Sequence, residues 1–199
     1  MKSIILFTFG MVCMTGIASG QTAVKGPFRF RSGIIEYRYS GDKTGSAVHY
    51  IDDYGLKTAV YSEITSDGES TKGWVVSKGE YQYIWDPARP AQGMKMKNPL
   101  MTGIRQSSAE EIEDLNVKTY EKMGIKKTGT EKFLGRECDL LQGTMGKVLI
   151  WNGVLMLLDL KMGEFVSHQE ATSVKTDIAV DPKYFIIPKN IIFQEMAGF

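Results

Sequence analysis

Residues 108–124 read SAEEIEDLNVKTYEKMG, the one stretch beyond the N-terminal leader with a clear helical pattern. Ser108 is placed to cap, and Glu111 follows at the capping-box spacing. Glu110, Glu111, Glu113 and Asp114 crowd the first turns, where the helix dipole favours negative charge, and Lys118 and Lys122 come late, where it favours positive. Gly124 is a natural stop. Ile112, Leu115, Thr119 and Met123 fall on one stripe with Tyr120 beside it. A helix this short is marginal alone in water. Burying Ile112, Leu115 and Met123 would contribute roughly 1.5–3 kcal/mol each. The helix is therefore expected to form against a sheet, with Leu115 facing it.

The flanking sequence supplies that sheet. Residues 32–40, SGIIEYRYS, alternate Ile35, Tyr37 and Tyr39 with Glu36 and Arg38. Strands are predicted at 47–51, 56–65, 71–77 and 81–85, separated by Gly- and Asp-rich turns; Tyr81, Tyr83 and Trp85 share one face of the last. Beyond the helix, strands are predicted at 126–132, 137–142, 147–151, 154–160 and 165–180, with a short edge piece at 186–188. Asn152-Gly153 is the strongest two-residue hairpin signal in the chain. Residues 154–158, VLMLL, are continuously apolar, so both faces of that strand should be covered, one of them by the helix. Short strands at this spacing spell an antiparallel meander.

Residues 86–106, DPARPAQGMKMKNPLMTGIRQ, break the rhythm with three prolines and three methionines. A loop this long inside a compact domain is either a solvated connection or functional. In the functional reading it is a lid, with Met94, Met96, Leu100 and Met101 as adaptable apolar contacts and its basic residues at the rim.

Residues 1–20 read as a signal peptide: Lys2, an apolar run, then Ala18-Ser19-Gly20, with cleavage after Gly20. The run is too short and too broken by Gly and Thr for a membrane span, so the chain should not span a membrane once the leader is removed. Without Lys2 the basic residues match the 23 acidic ones, which argues against a nucleic-acid partner. Residues 21–199 fit one domain with a real core. Cys138 is then the lone cysteine, so no internal disulfide forms, and a small buried side chain is the expected role.

Catalytic patterns are missing. His168 and Glu170 share a strand face but lack the further ligands a metal site needs. Residues 52–55, DDYG, read as a turn rather than a calcium loop, and no nucleophile elbow, phosphate loop or dinucleotide fingerprint occurs. No catalytic residue, metal or cofactor is expected.

Three pieces stand in order: FLGREC at 133–138, VLIWNGV at 148–154 and EATSV at 170–174, followed by FIIP at 185–188. Together they resemble exported bacterial proteins of the LolA/LolB-like lipoprotein-carrier superfamily. The resemblance covers roughly residues 32–188. It implies a mainly β (α+β) fold: an antiparallel meander curled into an unclosed β-barrel, with one main helix on the concave side, where the carriers hold acyl chains. The expectation is a periplasmic, non-enzymatic binding protein for an apolar ligand, a lipid or lipoprotein acyl chain. Tyr81, Tyr83, Trp85, Met94, Met96, Leu100, Met101 and Leu115 are its cavity and lid candidates. The alternative is a periplasmic protein-interaction or sensor module whose concave face is filled by its own side chains.

Overall fold

A computed structural model gives the fold and describes residues 26–89, 91–98, 101, 104, 112 and 114–196. The expected leader, the Ser108 cap and Leu100 lie outside these residues. Twelve strands form one sheet: β1 (Gly33–Gly41), β2 (Lys43–Asp52), β3 (Lys57–Ser66), β4 (Glu69–Lys78), β5 (Tyr81–Trp85), β6 (Gln92–Lys97), β7 (Lys126–Phe133), β8 (Arg136–Gly143), β9 (Gly146–Trp151), β10 (Val154–Met162), β11 (Phe165–Thr176) and β12 (Ile192–Glu195). Their spatial order is β12-β6-β5-β4-β3-β2-β1-β11-β10-β9-β8-β7. Strands β12 and β7 stand at opposite ends of this order, so the curled sheet is an unclosed barrel. Every pairing is antiparallel except β12 with β6. Register shifts in β1–β11 between Glu36 and Tyr37, and in β10–β9 between Leu155 and Leu157, bend the sheet where its two halves meet.

The hairpins follow their turn residues. Asn152 and Gly153 have φ of 49° and 82°, and Asp67-Gly68 and Leu134-Gly135 show the same positive pairs, the geometry that matches strand twist. Gly153 has a second reason to be glycine: a Cβ there would sit 2.1 Å from Pro27 O. Residues 26–31 press on that turn. Arg29 N donates to Asn152 O, Phe28 N donates to Tyr54 O, and Tyr54 N donates to Arg31 O, so this segment ties two distant hairpin ends together.

The helix α1 (Leu115–Lys122) lies on the concave side. Val117 and Tyr120 pack on a core of Ile125, Leu141, Val148, Ile150 and Leu160. The docking face is thus rotated from the expected stripe: Leu115 is half-buried, Thr119 exposed and Met123 43% exposed. Thr119 Oγ1 instead donates to Leu115 O within the helix. Ile112, in helical backbone upstream, is buried as expected.

Strand β10 has both faces covered. Val154, Met156 and Leu157 belong to a central cluster with Ile35, Tyr37, Leu149 and Cys138, while Leu155 and Leu158 pack on the cluster beneath α1. Cys138 is a free, fully buried core thiol; burial pushes its pKa up, which removes nucleophilic character. A third cluster lies on the opposite face of β2–β5, where the C-terminal segment brings Phe185 and Ile191 over Ala59, Val76 and Trp85.

Two sequence expectations are corrected. Residues 86–106 are not one loop, because Gln92–Lys97 is strand β6. QGMKMK alternates on a period of two, and β5 and β12 both offer it backbone partners, which outweighs the flanking prolines. The edge piece expected at 186–188 is displaced. Pro182–Phe185 forms a 3₁₀ turn capped by Asp181, whose side chain accepts from Lys183 N, and the strand begins at Ile192.

Candidate functional site

The pairing register assigns each candidate to a face, because directly paired residues project from the same side. Tyr81, Tyr83 and Trp85 share a face as expected, but it is the one covered by the C-terminal segment. Each ring has a partner from its own chain. Lys95 Nζ stands 3.8 Å over Tyr81, while Phe193 meets Tyr83 edge-on at 5.2 Å and Trp85 at 6.2 Å. Trp85 is 8% exposed. The stripe is structural, a second small core.

Met94 and Met96 project from the other face. They are strand residues, not parts of a lid. Met94 pairs with Ile84 on β5 and Gln194 on β12, and Met96 pairs with Gln82. Met101 is half-buried in helical backbone, and Leu115 is half-buried at the start of α1. Of the seven candidates among the described residues, the sheet places Met94 and Met96 on the helix-bearing face and Tyr81, Tyr83 and Trp85 on the other.

Following Met94 across the sheet reveals residues that sequence reasoning missed. Met94 pairs with Ile84, Ile84 with Val75, Val75 with Val60, and Val60 with His49. This row crosses four strand spacings, about 19 Å at roughly 4.8 Å each. Beside it runs a row of small residues: Tyr37 pairs with Ala47, Ala47 with Ser62, and Ser62 with Gly73. On its far side Tyr39 pairs with Gly45, Gly45 with Ile64, and Ile64 with Thr71. The small row is thus the floor of a shallow trough with one apolar wall, Met94 to Val60; its other side is mixed, with Gly45 and Thr71 exposed. Among the described residues, a Cβ at Gly73 would meet only Trp85 O, at 3.7 Å, so none of them closes that end. Ala47 is 2% exposed, so the other end is closed.

The open end leads into a depression of about 420 Å³ lined by Thr71, Ile84, Gly93, Met94 and Gln194, with Lys72 and Arg89 at the rim. Both cations are paired, Lys72 Nζ with Glu63 at 3.0 Å and Arg89 Nε with Asp86 at 3.5 Å. Met94 is 43% exposed beside this space.

The closed end is polar. Tyr37 and Tyr39 project from β1, His49 from β2, and Tyr120 from α1, near enough to Tyr37 for charge repulsion to help raise its pKa. The Tyr37 and His49 rings are 4.5 Å apart, tilted by 55°. Burial pushes all three phenols up, Tyr37 furthest, and holds His49 down at about 4. All four groups are neutral near pH 7. The alternation of Ile35, Tyr37 and Tyr39 marked one face of β1 in the sequence, but nothing in it brought Tyr120 or His49 alongside.

His168 has Asp159 at 3.8 Å and Glu170 at 3.9 Å, and Glu170 is also held by Arg38. Among the described residues no group of three His, Cys, Asp or Glu side chains is arranged to hold a metal ion. No helix among them is long and apolar enough to cross a membrane.

No family model matches the chain, and no curated protein matches its sequence. Among solved structures, it is similar to an uncharacterized conserved protein from Thermus thermophilus, with a TM-score of 0.55 and 9% identity over 83% of this chain and 92% of that one. This likeness is one of fold. A structure of PNGF-II aligns with a TM-score of 0.44 and 15% identity, over 83% of this chain and 31% of that one.

Proposed function

We propose that this protein is a non-enzymatic binding protein for a long apolar ligand, a lipid or acyl chain, held on the concave face of an unclosed barrel of LolA-like type. The observation that carries this reading is the trough. A continuous row from Met94 through Ile84 and Val75 to Val60 lines a floor of Gly73, Ser62 and Ala47. Its mouth lies at a depression of about 420 Å³, within the size range of small-molecule sites. Unbranched Met94 suits shape-tolerant apolar contact. The signal-like sequence at residues 1–20 supports export, and the proposed working place is the periplasm.

A pyrene-labelled long-chain acyl probe titrated into the purified protein tests this. Saturable binding is expected, with Met94→Ser weakening it roughly threefold to tenfold through lost apolar contact. The melt should move by less than about 0.5 kcal/mol, since the side chain is 43% exposed at the sheet's outer end. Absence of binding at high micromolar probe overturns the reading in favour of an interaction module with a filled concave face.

A further inference from the structure

The closed end of the trough carries polar groups that an apolar chain does not use. Tyr37 is 4% exposed, and its hydroxyl has no hydrogen-bond partner among the described residues; the same holds for the Tyr39 and Tyr120 hydroxyls and the His49 imidazole. Yet no fully enclosed side-chain N or O among the described residues lacks a partner. The Tyr37 hydroxyl therefore borders space that water can enter, although its ring is core. Among the described residues these three O–H donors and the imidazole, grouped around Tyr37, have no partner and form a donor cluster open to an acceptor.

We propose that Tyr37, Tyr39, Tyr120 and His49 form a neutral hydrogen-bonding site for an uncharged acyl carbonyl, that of an ester, at the closed end of the trough. The inference rests on the acyl-binding reading above and deepens it by naming the head group. Burial keeps the phenols protonated and the imidazole uncharged, so the cluster offers donors without a counter-charge. A carboxylate entering it would lose its hydration with no cation in return, a loss that an ester carbonyl does not suffer. The ester oxygen accepts from the hydroxyls while its chain follows Val60, Val75 and Ile84 toward Met94.

The test compares one pyrene-labelled fatty acid with its own methyl ester at neutral pH. The ester is expected to bind at least about tenfold more tightly, the scale of an unpaired charge against a satisfied carbonyl. Tyr37→Phe should weaken the ester about threefold to tenfold and leave the free acid unchanged, because it removes one donor and keeps the ring. Tyr39→Phe is the second variant, from a more exposed position. Equal or tighter binding of the free acid, or Phe variants that bind ester as the parent does, overturns the proposal while leaving acyl binding intact. Failure of both probes to bind instead removes the acyl reading itself.

Discussion

His49 shows how one side chain can report on the interior. It stands in register with Ile35 on one side and Val60 on the other, against the Tyr37 ring. Desolvation holds its folded pKa at about 4, against 6.5 for the free side chain. Between those values the unfolded chain binds a proton that the folded chain refuses, so stability falls as pH drops through that window and levels off below it. The contribution is at most about 3 kcal/mol. Urea melts of wild type and His49→Gln between pH 7 and 4 isolate it, because the carboxylates titrate alike in both. The wild type should lose stability more steeply by that amount, and parallel curves would mean that the imidazole is solvated.

At the scale of elements, the helix and the strand beneath it separate what the sequence could announce from what it could not. Alternation, turn residues and the Asn152-Gly153 pair placed most strands, because hairpin geometry is written in neighbouring residues. The helix was legible as well. Its docking angle was not, since Val117 and Tyr120 are selected by the shape of the Ile125–Leu141–Val148 surface, which is assembled from distant strands. The same holds for β6. Its short MKMK alternation sits between prolines, and it becomes a strand because β12 arrives from far along the chain to pair with it. Of the candidates on strands, Met94 and Met96 project from the helix-bearing face, while Tyr81, Tyr83 and Trp85 project from the other. Alternation tells which residues share a face, not which face a distant C-terminal segment will cover. Consequently Leu115→Ala, at a half-buried position, should cost about 1 kcal/mol, whereas Leu141→Ala, at 0% exposure beneath α1, should cost about 2–5 kcal/mol. Urea melts of the two variants check the ranking, and equal losses would restore Leu115 to the docking face.

For the whole molecule, the two faces of one sheet do different work. The face bearing Trp85 and Val76 is closed by the protein's own aromatic residues, and the face bearing Met94 and Gly73 carries the trough. In the proposed acyl-binding role the ligand follows an inner path from Met94 to the tyrosines, and Gly73 is the point at which that path can be blocked without touching the core. Its backbone lies in strand β4, and among the described residues an added Cβ meets nothing closer than Trp85 O at 3.7 Å. Replacing glycine inside a strand should hold or raise stability, by up to about 1 kcal/mol. The most direct measurement is acyl-probe affinity for Gly73→Leu beside the wild type, with a urea melt of each. An intact or higher melt with affinity reduced at least about tenfold is the expected result, the scale of forcing a bulky group into a fitted space; unchanged affinity in a folded Gly73→Leu protein would contradict the trough as the binding path.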